Sequence, residues 1–102
     1  MGWKRRAVLI EWMIQLAFDE EFKMSRESVY MAINIVDNYF QSTQNLPISE
    51  FQLAGATALF IAGKMDLEQP ISSRKFADGT KNRYTCKDIK EMEVKMLKVQ
   101  FI

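Results

Sequence analysis

The stretch Leu53-Ala-Gly-Ala-Thr-Ala-Leu-Phe-Ile-Ala-Gly-Lys64 is apolar almost all the way round a 3.6-residue period, and many of its residues carry little side chain or none. A helix without a polar face has to be enclosed on every side. Gly55, Ala58 and Ala62 let neighbouring backbones approach it closely, so it reads as the central element of the fold. A membrane span takes about 18 or more apolar residues; this run is shorter and is broken by Gly55 and Thr57. With 102 residues, 48% of them hydrophobic, the chain is predicted to form one compact domain over 1–102 around that helix.

The flanking segments supply the enclosure. From about Lys4 to Phe22, Val8, Leu9, Trp12, Met13, Leu16 and Ala17 form one stripe, with Glu11, Gln15 and Asp19 opposite. A second helix opens at Ser25 as N-cap, places Val29, Ala32, Ile33, Val36 and Phe40 on one face, and ends near Gln41. The central helix is predicted over about 49–66, with Ser49 and Gln52 as a capping box and Ile48 stapled to Leu53. A short helix over Ser73 to Ala77 and a turn at Asp78-Gly79 follow. The last helix starts at Thr85 with Asp88 three residues on and lines up Ile89, Met92, Met96 and Val99. Nothing alternates over 4–8 residues as a half-buried strand does. The prediction is an all-α fold of five helices.

Most catalytic chemistry finds no support. The chain has no His, which removes the usual neutral-pH proton shuttle and the commonest metal ligand. Gly63-Lys64 lacks the second Gly and the following Ser or Thr of a phosphate loop; those positions hold Ala58 and Met65. Asp19-Glu20-Glu21 and Asp66 with Glu68 lack the ligand spacing of a calcium loop. Cys86 has no base beside it, and a lone cysteine fits a reducing, intracellular setting. No catalytic residue, metal or cofactor is therefore assigned. The net charge is only +1, positive in residues 1–10 and 74–102 and negative between them, and Lys87, Glu91 and Lys95 alternate in sign. A nucleic-acid partner is disfavoured by that self-compensation.

Two charged residues interrupt apolar faces. Asp37 sits between Val36 and Phe40, where an unpaired carboxylate costs several kcal/mol and so demands a cation. Glu93 stands on the shoulder of the last helix's stripe between Ile89 and Leu97, where the simplest expectation is a solvated side chain.

Four stretches in this order, Arg6-Ala-Val-Leu-Ile-Glu-Trp, Val36-Asp-Asn-Tyr-Phe, Leu53 to Lys64, and Tyr84-Thr followed by Glu91-Met-Glu, resemble the cyclin box, and the wording is most like that of A- and B-type mitotic cyclins. The resemblance covers essentially the whole chain. It implies a regulatory subunit that forms a heterodimer with a cyclin-dependent kinase and activates it by positioning its C helix, in the nucleus or cytoplasm. It also implies an internal ion pair between Arg6 and Asp37, which would give Asp37 its cation. Lys64 and Glu93 match the kinase-contacting lysine and glutamate, and Met65 falls where a hydrophobic kinase contact is usual. Leu9, Trp12 and Gln52 match the patch that docks Arg-x-Leu segments of substrates and inhibitors, but Arg5 stands for its methionine and Gln15 for its glutamate. Docking of such segments is therefore expected to be weak. The second box and the preceding helix of typical cyclins have no counterpart in these 102 residues. The alternative is a box of the transcription-factor-B or peptide-binding scaffold type, for which a concentrated basic face would be expected in the DNA-binding case.

Overall fold

The computed structural model describes residues 3–43, 46–66 and 70–100. Glu68, one of the carboxylates weighed above, lies outside them. The described elements are α1 (Trp3–Ala17), α2 (Arg26–Ser42), a 3-10 turn (Ile48–Glu50), α3 (Phe51–Asp66), α4 (Ser73–Gly79) and α5 (Cys86–Gln100). Helix α3 packs against α1, α2, α4, α5 and the 3-10 turn. Every residue from Leu53 to Gly63 is buried. The periodicity argument and the packing therefore agree: the helix with no polar face is the one in the middle.

Close approach depends on what α3 omits. A Cβ on Gly55 would lie 2.9 Å from Leu9 Cδ1 and 3.1 Å from Met13 Cγ, so α1 rests directly on the α3 backbone at that point. Met13 is fully buried and cannot retreat into solvent.

The structure differs from the sequence reading in several places; Asp78 and Gly79, expected as a turn, belong to α4. Helix α1 stops at Ala17 instead of Phe22. Acidic residues are unfavourable at a helix C-terminus, and the Asp19 carboxylate accepts a hydrogen bond from the Glu21 N–H at 3.0 Å, which draws the chain into a turn. Lys23 then takes a left-handed conformation at φ 47°, and Met24 N–H closes back on the Ala17 carbonyl at 2.9 Å. The expected capping box at Ser49 is absent: the helical path begins after Pro47 with the 3-10 turn, so Ser49 already lies inside it. Gln52 instead accepts a hydrogen bond from Arg83 at 3.2 Å, and the Ser49 carbonyl accepts one from the Tyr84 hydroxyl. Ile48 is 58% exposed and does not staple to buried Leu53. The buried face of α2 is also rotated, centring on Val29, Ala32, Ile35, Val36 and Tyr39, with Ile33 and Phe40 only partly covered.

The other caps follow the sequence. Ser25 accepts from Ser28 N–H at 3.0 Å at the start of α2. Thr85 and Asp88 form a reciprocal box at the start of α5, with Asp88 N–H to Thr85 Oγ1 at 3.1 Å and Thr85 N–H to Asp88 Oδ2 at 2.9 Å. Asp66, in the last turn of α3, accepts from the hydroxyls of Ser28 at 2.7 Å and Ser25 at 2.9 Å. Its carboxylate thus bridges the end of α3 to the N-terminus of α2, where the helix dipole favours negative charge.

Gly55→Val is expected to destabilise the fold by about 1–3 kcal/mol, the usual range for overpacking. Thr57→Val, which keeps the shape but removes a buried hydroxyl that has no hydrogen-bond partner among the described residues, is expected to hold or raise stability. Urea denaturation of both variants checks the contrast. The two serine hydrogen bonds, Ser28's first, hold the Asp66 carboxyl below its ordinary 3.8. A lowered folded-state pKa contributes stability above the ordinary value and loses it as pH falls through the folded one. The urea midpoint should therefore drop as pH falls below the ordinary 3.8, and Asp66→Asn should flatten that part of the profile.

Candidate functional site

The charged residues singled out in the sequence fall at three places. Between α1 and α2, Arg6 donates to Asp37 through both Nε and Nη2, at 2.9 and 2.8 Å. This fork-to-carboxylate geometry fixes orientation as well as distance, and the hydrogen bond first and charge attraction second raise the Arg6 pKa. The pair is not buried, however: the side chains are 46% and 26% exposed. Rotation of the α2 face places Asp37 at its border, so the cost of stranding either charge is far below that inferred for a core position.

At the other end of the bundle, Lys64 in the last turn of α3 forms an ion pair with Glu93 in the second turn of α5. The lysine is 44% exposed, whereas the glutamate side chain is only 13% exposed. Glu93 is therefore not the solvated residue that its position on the shoulder suggested. Its Oε2 is buried and accepts no hydrogen bond among the described residues, so its charge is balanced by the Lys64 ammonium alone. The Lys64 ammonium also lies over the Phe60 ring, 4.7 Å from its centroid, an arrangement that the ring's negative face favours. Next to it, Met65 is 52% exposed and presents an apolar side chain to solvent. The arrangement is a fixed polar pair with an apolar neighbour, suited to recognising another protein surface.

The third place is a groove of about 360 Å³ between α1 and the start of α3, floored by Val8, Leu9, Trp12, Ile48 and Phe51 and edged by Lys4, Arg5, Gln52 and Arg83. Arg5, Leu9, Trp12 and Gln52 all line it. Gln15 does not: it is exposed and lies outside the lining. Sequence reasoning did not place Lys4, Val8, Ile48, Phe51 or Arg83 in this patch. Ile48 was assigned to a staple, and Arg83 is far away in sequence, although its exposed position beside an aromatic, Tyr84, was a usable signal. Among the described residues no cluster of His, Cys, Asp and Glu could hold a metal ion, and no helix is long and apolar enough to cross a membrane.

An all-α bundle that presents fixed binding surfaces around one enclosed helix is a scaffold-type protein module. Residues 1–100 match the family model described as the cyclin N-terminal domain, and the chain belongs to that family. It is 37% identical over 94 residues to the G2/mitotic-specific cyclin-B1 of Carassius auratus, covering 92% of this chain and 23% of the relative. It is also 35% identical over 97 residues to the G1/S-specific cyclin-E of Hemicentrotus pulcherrimus, covering 95% of this chain and 22% of the relative. The chain thus spans less than a quarter of the length of these curated relatives. Similarity to mitotic cyclins agrees with the wording of α3 and α5, and the transcription-factor-B-type alternative receives no support.

Removing Lys64 would leave a buried carboxylate oxygen without its counter-charge. Lys64→Ala is therefore expected to destabilise by about 1–3 kcal/mol, and Lys64→Arg to restore most of that loss. Denaturation midpoints of the two variants provide the check.

Proposed function

We propose that this domain binds a cyclin-dependent kinase and activates it by holding the kinase's C helix in its inward, active position. An active kinase needs the C-helix Glu paired with the strand lysine that holds the ATP phosphates. A rigid surface that fits only the inward helix shifts the kinase towards that state without any chemistry of its own. The observation that carries this reading is the Lys64–Glu93 pair, with exposed Met65 beside it, at positions where the family resemblance implies kinase contacts. The pair suits the role because Glu93 is held from below by α5 while Lys64 keeps a face to solvent. On this reading the chain is a regulatory subunit and not itself an enzyme. Its place is inside the cell, in the nucleus or cytoplasm, and the Arg6–Asp37 pair serves to fix α1 against α2.

The decisive experiment mixes the domain with a panel of purified cyclin-dependent kinases and measures phosphorylation of a histone substrate. Stimulation of at least one kinase is expected, and none across the panel would overturn the reading. Met65→Ala serves as the specific probe. Its exposed side chain should leave stability within about 0.5 kcal/mol of the parent. Kinase affinity should nevertheless weaken by about 1 kcal/mol or more, measured by calorimetry with the kinase that responds.

A further inference from the structure

The groove beside α1 does not end at its apolar floor. A second compartment of about 350 Å³, lined by Trp12, Gln52, Gly79, Thr80, Lys81 and Arg83, adjoins it and shares Trp12, Gln52 and Arg83 with it. We propose that the two compartments together dock a short protein segment that pairs a bulky apolar residue with a nearby Asp or Glu, a charge preference opposite to that of the Arg-x-Leu segments implied by the family resemblance.

The apolar half of this inference rests on exposure. Val8 and Ile48 are 68% and 58% exposed and line one groove together with Trp12 and Phe51. A single large aliphatic or aromatic side chain would cover them.

The acidic half rests on charge. Among the described residues, Arg5, Lys81 and Arg83 make no ion pair and no carboxylate lines either compartment. Glu11 on α1 and Glu50 on the 3-10 turn both lie outside the lining. Arg83 is held in place by its hydrogen bond to Gln52 Oε1, made through Nη1, and its other donors remain available. The backbone that carries these cations is braced. Lys81 and Asn82 both take left-handed conformations, at φ 56° and 62°, and Lys81 N–H and Arg83 N–H bond back to Asp78 O at 2.9 Å and Thr80 O at 3.2 Å. Two guanidiniums lining one apolar floor repel a peptide arginine and pair with a carboxylate. The residue that could have received a peptide arginine is Gln15, which is neutral and outside the lining.

This surface does not depend on the kinase reading. Gln52 and Lys64 are twelve residues apart along α3, or about 18 Å at 1.5 Å per residue, so the two surfaces are separate and are tested separately.

The test uses the domain alone, with fluorescein-labelled peptides identical except at one position two residues before a Leu-Phe anchor, which holds Glu in one peptide and Arg in the other. Fluorescence anisotropy at low salt should show the Glu peptide binding about tenfold or more tighter, with the preference shrinking as salt screens exposed charges. Arg5→Met and Lys81→Gln should each weaken the Glu peptide about threefold or more while leaving the Arg peptide unchanged or tighter. Neither substituted residue is buried, so thermal melts should match the parent. Equal affinity for the two peptides, a preference for Arg, or binding of the Glu peptide that is indifferent to both substitutions would overturn the proposal. So would a single-stranded oligonucleotide that displaces the Glu peptide at equal concentration, because it would show an unselective cationic surface.

Discussion

Everything in this domain depends on α3 being enclosed over its whole circumference. From Leu53 to Gly63 no residue faces solvent, so each neighbouring helix is positioned against α3 and not only against the next helix in the chain. The absence of a side chain at Gly55 lets Leu9 and Met13 of α1 come within van der Waals distance of its backbone. Protein interiors are packed as densely as organic crystals and tolerate little added volume. The positions of α1, α2, α4 and α5 are thus set by a shared contact with one helix, and the surfaces they present at its two ends inherit that rigidity.

How far the fold could be read from residues alone depended on whether the signal was hydrophobic or local. The enclosed helix, the all-α class and the start of α5 at Thr85 and Asp88 were legible because apolar periodicity and reciprocal capping act within a few residues. The start of α3 was not, because Ser49 and Gln52 make an equally good capping pattern on paper. Pro47 and the tertiary bonds from Tyr84 and Arg83 decide the outcome, and these come from more than thirty positions away. The end of α1 was misjudged because an apolar stripe continues through Phe22 while Asp19 diverts the backbone before it arrives. The site shows the same division. The conjunction of Arg6 with Asp37 and of Lys64 with Glu93 followed from family positions, but how deeply each pair is buried did not. Burial depends on the rotation of α2 and the packing of α5 against α3, which no single-helix pattern contains. One pair proved more exposed than its apolar surroundings suggested, and the other more buried.

The distribution of charge follows the same architecture. Cations gather where α1 meets the start of α3, at Arg5 and Arg83 with Lys81 beside them. At the far end of α3, Lys64 and Asp66 are each engaged, one by Glu93 and the other by Ser25 and Ser28. A net charge of +1 therefore conceals two ends of different electrostatic character. The groove end gathers positive charge over an apolar floor, whereas the other end holds a compensated pair.

Helix α3 is also fastened at both ends by bonds to distant parts of the chain. Tyr84 donates to the Ser49 carbonyl just before it begins, and Asp66 in its final turn receives Ser25 and Ser28. Sliding the helix along its axis by one turn, about 5.4 Å, would break both fastenings at once. The domain consequently behaves as a molecular gauge: the interval between groove and lysine is a constant of the fold, and any assembly that touches both ends must be built to that length.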